Sequence, residues 1–189
     1  CVLFKDPSVG RYYKHDSPYT YFTSDDLHLG EISLECSRAG AAAVGLWATQ
    51  KLLPLQRGTE FADYISMSRD AAVTLADKLA EDDRFILPFK PQLDIVVWAI
   101  RDQSLARMSE WAQAVFDQAA ERHLHLALAT LPTQLFAQQV PEMQNAGDTV
   151  VCLRSVLMKP EHAEWIEQIW SIIDKSTETV RERHTFTSR

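Results

Sequence analysis

The sequence predicts an α+β fold, with helices packed on one face of a mainly antiparallel sheet. Three observations carry that reading: apolar residues recur at helical spacing in three long segments, short β-rich runs lie between them, and the segments follow the order helix, strand pair, helix, strands, helix. Taken in order, the first helix starts at Thr59 as a cap and carries Phe61, Tyr64, Ile65, Ala72, Leu75, Ala76 and Leu79. Phe85-Ile86-Leu87 and Asp94 to Ile100 read as strands, separated by Pro88 and Pro91. A second helix spans about Ser104 to Arg122, with Leu105, Met108, Trp111, Ala112, Val115, Phe116 and Ala119 on one face. His125 to Ala129 and Thr149 to Leu157 give two further strands. A last helix begins near Pro160, a residue suited to a first turn, and carries Trp165, Ile166, Ile169, Trp170 and Ile173. Trp165 and Trp170 read as core or domain-interface packing rather than a ligand box. Beyond Lys175 the chain turns polar, and fraying is expected there.

The amino-terminal part has a different character. Cys1-Val2-Leu3-Phe4 reads as a buried strand, followed by a turn over Asp6 to Gly10. Residues 11–34 are polar, aromatic and aperiodic, a connection long enough to suggest a functional or mobile loop. A small-residue helix then runs from about Ser37 to Leu53, stopped by Pro54. This part has too few apolar elements to close a core, so the sequence divides into residues 1–57 and 58–189, with only the second able to fold alone. Opening inside an apolar strand, the chain reads as a piece of a longer protein.

Composition narrows the functional classes. Hydrophobic residues make up 46% and charged residues 24% of 189 residues, the balance of an ordinary globular protein. A net charge of -7 argues against a general nucleic-acid binder, which needs a basic face. No apolar run approaches the roughly 18–20 residues that span a bilayer. Cys1, Cys36 and Cys152 are odd in number and far apart, which fits neither a disulfide framework nor a zinc site and points to a reducing, cytoplasmic setting. Cys152 itself reads as a small buried apolar residue. His15, His28, His123, His125 and His162 have no metal-ligand spacing; His123 and His125 alone would share a side in a strand, without a third ligand, so no metal is expected.

The stretch from Glu35 to Ala43 combines two devices. Ser37 suits an N-cap, and the first N–H groups of a helix lack partners and attract a phosphate or carboxylate. Gly40 to Ala43 carry little bulk, so a backbone or cofactor can come close. The alternative is an ordinary capped helix in a core.

Four segments, in order, resemble the carboxy-terminal third of pyridoxal-phosphate-dependent group II decarboxylases. Cys1-Val2-Leu3-Phe4-Lys5-Asp6 is similar to the strand after that family's Schiff-base lysine, and Tyr12-Tyr13-Lys14-His15 to the Tyr-x-Lys-His of its catalytic loop. Cys36-Ser37-Arg38-Ala39-Gly40 resembles its Ser-Arg-Pro-Gly element, and Leu153-Arg154-Ser155 followed by Pro160 its last strand and helix. Each motif is short; their order and spacing carry the resemblance across essentially the whole chain.

The resemblance implies the small carboxy-terminal domain of a fold-type I enzyme, preceded by the tail of the large α/β domain. It implies pyridoxal 5'-phosphate as cofactor, an amino acid as substrate, and a homodimer with active sites at the interface. Tyr12 then matches the loop tyrosine implicated as a proton donor, against the alternative of a surface aromatic in a tyrosine-rich loop. Ser37, with the backbone of Cys36, matches the phosphate contact made to the opposite subunit, while Arg38 fits an interface ion pair. Arg154 matches a small-domain arginine that engages the substrate carboxylate or positions its neighbours; the alternative is a strand-edge arginine paired with Asp or Glu.

One departure matters most. The family's lysine follows a histidine, and none of Lys5, Lys14, Lys51, Lys78, Lys90, Lys159 and Lys175 does. The chain is therefore expected to be inactive alone, a piece of a carboxy-lyase. Two alternatives remain: a fragment of a carbon–carbon lyase of the sphingosine-phosphate lyase type, or a non-catalytic α+β interaction module.

Overall fold

The structure is a computed structural model that describes residues 4–14, 39–102, 104–137 and 149–187. It divides into two compact units, Cys1–Thr59 and Glu60–Arg189.

In the first unit, Pro7–Tyr13 forms a 3-10 turn whose cap is Asp6, the carboxylate accepting from the Ser8 N–H at 2.9 Å. The turn takes in Arg11, Tyr12 and Tyr13, which the sequence assigned to an irregular stretch; Asp6 and Pro7 together fix its first residues. Phe4 is not in a strand, and Cys1 to Leu3 lie outside the described residues. Helix α1 spans Ala39–Leu52 and ends before Pro54. None of the described residues of this unit is buried.

The second unit is an α+β sandwich. Its elements are α2 (Glu60–Ala80), β1 (Phe85–Ile86), β2 (Ile95–Ile100), α3 (Leu105–Ala120), β3 (Ala127–Pro132), β4 (Thr149–Val156) and α4 (His162–Thr187). The strands form one antiparallel sheet in the order β1-β2-β4-β3. Residues 96–100 of β2 are all buried, which explains why this stretch is continuously apolar rather than alternating. On the helix side, Val96, Trp98 and Leu153 meet Leu75 and Leu79 of α2, Trp111 and Val115 of α3, and Ile166 and Ile173 of α4. Trp98 is fully buried, with Phe85 edge-on at 5.3 Å between ring centres. The opposite face holds a smaller cluster of Ile86, Val97, Ala99, Val150 and Cys152, joined by Met108 of α3 and by Phe136 from a 3-10 turn over Thr133–Phe136.

Helix ends follow local chemistry. Ser104 caps α3 by accepting from the Arg107 N–H at 3.4 Å. Gly58 takes a left-handed φ of 78° just before α2. The Thr59 hydroxyl is not a helix cap: it faces the carbonyls of Pro54 and Gln56 at 2.6 and 2.7 Å and closes the preceding turn.

Two expectations are corrected. The strand expected over residues 125–129 begins at Ala127. After α3, His123 adopts φ 63°, its N–H bonds to Ala120 O, and Leu124 N–H bonds to Ala119 O, a Schellman end that holds the next residues off the sheet. His123 and His125 therefore do not share a strand, and no group of metal-binding side chains occurs among the described residues. The second correction concerns α4, which does not fray at Lys175. It continues to Thr187 with Ser176, Thr177 and Val180 buried, because its small polar residues face the other helices while charged ones face water. No described helix is long and apolar enough to cross a membrane.

Candidate functional site

Arg154 lies near the middle of β4, an inner strand of the sheet, not at a strand edge. Its cross-strand neighbours are Val97 on β2 and Ala127 on β3. Strand alternation puts Arg154, Val156 and Cys152 on the face away from the main core. Cys152 is buried there, whereas Arg154 and Val156 are exposed, and so is Ile95 opposite Val156. The guanidinium has no ion pair or hydrogen bond to another side chain among the described residues. A planar cation thus stands beside an open apolar strip, an arrangement suited to a carboxylate that carries an apolar part.

Tyr12 sits in the first unit at the end of the 3-10 turn and is 88% exposed. No acid or base on the described residues is arranged to assist its phenol. Ser37 and Cys36 lie outside the described residues, as do Arg38 and His15. The helix is described over Ala39–Leu52. Gly40 and Gly45 have open space where a Cβ would be, and Val44, Leu46 and Trp47 are exposed. Among the described residues of its own unit, nothing packs closely against the small-residue surface of α1. A helix apolar on all sides is normally a covered one.

Pyridoxal phosphate needs an enclosed lysine, an acid for its ring nitrogen and donors for its phosphate. Lys5, Lys14, Lys51, Lys90, Lys159 and Lys175 are exposed, and Lys78 is half-buried in an ion pair with Glu167 at 2.8 Å. These residues do not make a complete site for the cofactor.

Two surface grooves in the second unit were not visible in the sequence. One, of about 390 Å³, lies between α2 and the ends of β2 and β4, around Tyr64, Ile65, Leu93 and Met158. The other, of about 510 Å³, lies between α2 and β1. Each is walled by residues of α2 together with residues from strands and connections, so only the fold brings the two walls together.

No family model matches the chain, and no curated protein matches it in sequence. Among solved structures, it is similar to 4-hydroxyphenylacetaldehyde synthase from Rhodiola rosea, at 16% identity and TM-score 0.44, over 61% of this chain and 22% of that one. It is also similar to the glutamate decarboxylase domain of diaminobutyrate-pyruvate transaminase and L-2,4-diaminobutyrate decarboxylase from Vibrio parahaemolyticus. There the identity is 17% and the TM-score 0.46, over 72% of this chain and 26% of that one. The chain thus spans about a quarter of the length of these structures. Superpositions at this level do not decide its activity.

Proposed function

We propose that this chain is the carboxy-terminal part of a pyridoxal-phosphate-dependent amino-acid decarboxylase that acts in the cytoplasm as a homodimer. The observation that carries the reading is the set of four short segments, ending in Leu153-Arg154-Ser155 and Pro160, that resemble that family in order and spacing. The exposed guanidinium of Arg154 on an inner strand supports a role in holding the substrate carboxylate. Ser37, with the Cys36 backbone, is assigned to the cofactor phosphate of the opposite protomer, and Tyr12 to protonating the product carbon. Bound in the parent protein, the cofactor would supply an electron sink, and this chain's residues would hold its phosphate and the substrate carboxylate. Without an enclosed lysine, this chain provides walls and charges rather than the reacting centre.

The test has two arms. Titrated with pyridoxal phosphate, the 189-residue chain should show no visible absorbance beyond that of free cofactor and release no carbon dioxide from amino acids. The parent protein should decarboxylate an amino acid in a cofactor-dependent way, with Arg154→Met raising KM for substrate at least ten-fold, about the effect of losing a charged hydrogen bond. A parent protein that binds no pyridoxal phosphate overturns the reading.

A further inference from the structure

We propose that the groove between α2 and β1 binds small amphipathic carboxylates, the apolar body lying along α2 and the carboxylate held by Lys90 and Arg101. The helical wall is a single stripe: Arg69, Val73, Ala76, Asp77 and Ala80 fall at the spacing of one helix face. Ala76 and Ala80 are small, and this leaves depth against the opposing wall of Phe85, Leu87 and Phe89. At about 510 Å³ the groove falls within the usual size of small-molecule sites, roughly 300–1,000 Å³.

Charge sets the class of ligand. The groove carries Arg69, Lys90 and Arg101 against the single carboxylate of Asp77, although the whole chain has a net charge of -7. Arg69 is paired with Asp70 at 3.2 Å, but both are well exposed, and such a pair holds its partner weakly. Arg101 is fixed: its Nε donates to Asp83 O at 3.1 Å and its backbone N–H to Arg84 O at 2.7 Å. That bond uses the Nε and leaves the outer nitrogens for a ligand. Lys90 is exposed on a short connection bounded by Pro88 and Pro91, which restrict its backbone. Phe89 next to it is 46% exposed, an apolar surface beside a cation. An anion without an apolar body leaves these aromatic and aliphatic walls wet, and a neutral amphiphile leaves the cations unmatched. The combination selects a molecule that has both parts.

The groove shares no residue with the Arg154 surface, so this inference does not rest on the decarboxylase reading. The test uses the full chain and three probes: octanoate, octanamide and inorganic phosphate. Amide NMR shifts and calorimetry should show octanoate binding saturably, with shifts confined to residues 69–80, 85–91 and 101. Octanamide and phosphate should each bind about ten-fold more weakly or not at all, the difference one charged contact makes. Lys90→Glu should weaken octanoate about ten-fold with an unchanged circular dichroism spectrum, and Lys90→Gln should weaken it less. Arg101→Gln should act in the same direction, and Lys90 keeps the test independent of any loss of fold in that variant. Equal binding of octanamide, binding of phosphate as tight as octanoate, shifts centred elsewhere, or unaltered binding in Lys90→Glu each overturns the proposal.

Discussion

The indole Nε1 of Trp98 donates to Ser155 Oγ over 3.1 Å, and both residues are buried. They are diagonal neighbours on the helix-facing side of β2 and β4, since Trp98 stands opposite Leu153 and Val96 opposite Ser155. The largest side chain of the core therefore has its one polar atom answered by the adjacent strand. In Ser155→Ala the indole N–H stays buried without a partner, which costs about 1–3 kcal/mol. Urea unfolding followed by tryptophan fluorescence should show a lower midpoint with an unchanged slope. A midpoint equal to that of the parent chain contradicts the assignment.

A second link joins the turn before β1 to α4. Arg84 donates through Nε to both carboxylate oxygens of Asp82 at 3.0 Å, and through Nη2 to Asp174, 90 positions further along the chain. Side-chain exposures of 26% for Arg84 and 22% for Asp82 place the bond partly out of water. Arg84→Met should destabilise the unit by about 1.5–3 kcal/mol, the range for hydrogen bonds to charged groups. The hydrogen bond from Arg84 holds the Asp82 carboxyl below the ordinary carboxylate range, against the upward push of burial. The folded value is the depressed one, so this contribution is full above the unfolded carboxylate value of about 3.9 and is lost as pH falls through the folded value. Thermal midpoints measured from about pH 5 downward should fall more steeply in the parent chain than in Arg84→Met.

Much of the second unit could be read from the sequence because burial and period coincide there. The stripe from Phe61 to Leu79 gave α2, and the run from Ile95 to Ile100 gave β2. The failures have local causes. His123 in a left-handed conformation ends α3 in a way that composition does not announce, so β3 was expected too early. Ser176 and Thr177 look like surface residues by type, yet both are fully buried on α4. Arg154 was legible as a strand residue, whereas its inner position depends on β3 pairing with β4 across distant sequence. The groove at α2 and β1 was not legible at all, because its wall opposite α2 comes from β1, the connection after it and the end of β2.

The end of α3 offers a stabilising change. His123 sits at φ 63°, a region in which a side chain with a Cβ is strained and glycine is not. Its N–H bond to Ala120 O and that of Leu124 to Ala119 O belong to the backbone, so they survive substitution. His123→Gly should raise stability by about 0.5–1 kcal/mol, the relief of strain exceeding the extra freedom of glycine in the unfolded chain. Calorimetry should show a higher Tm, and His123→Val, β-branched at the same φ, a lower one.

Cys152 makes a chemical prediction. The residue is fully buried in the smaller face cluster with Val150, Val97, Ala99 and Phe136. Burial alone pushes its thiol up to about 12, and among the described residues its only bond is a weak one donated to Val150 O in its own strand at 3.7 Å. Reactivity belongs to the thiolate, so at pH ~8 native Cys152 should be inert to alkylating reagents. Peptide mapping after iodoacetamide treatment should find Cys152 unmodified in the native chain and modified after denaturation in urea. A rise in pH to ~9 should not change this, because the group stays protonated and shielded well beyond the ordinary cysteine value of about 8.5. Cys152→Ser should cost about 1–3 kcal/mol, since a hydroxyl placed there is buried among apolar side chains. Modification of Cys152 under native conditions, at a rate that does not slow when the fold is stabilised, contradicts its placement on the closed part of the sheet.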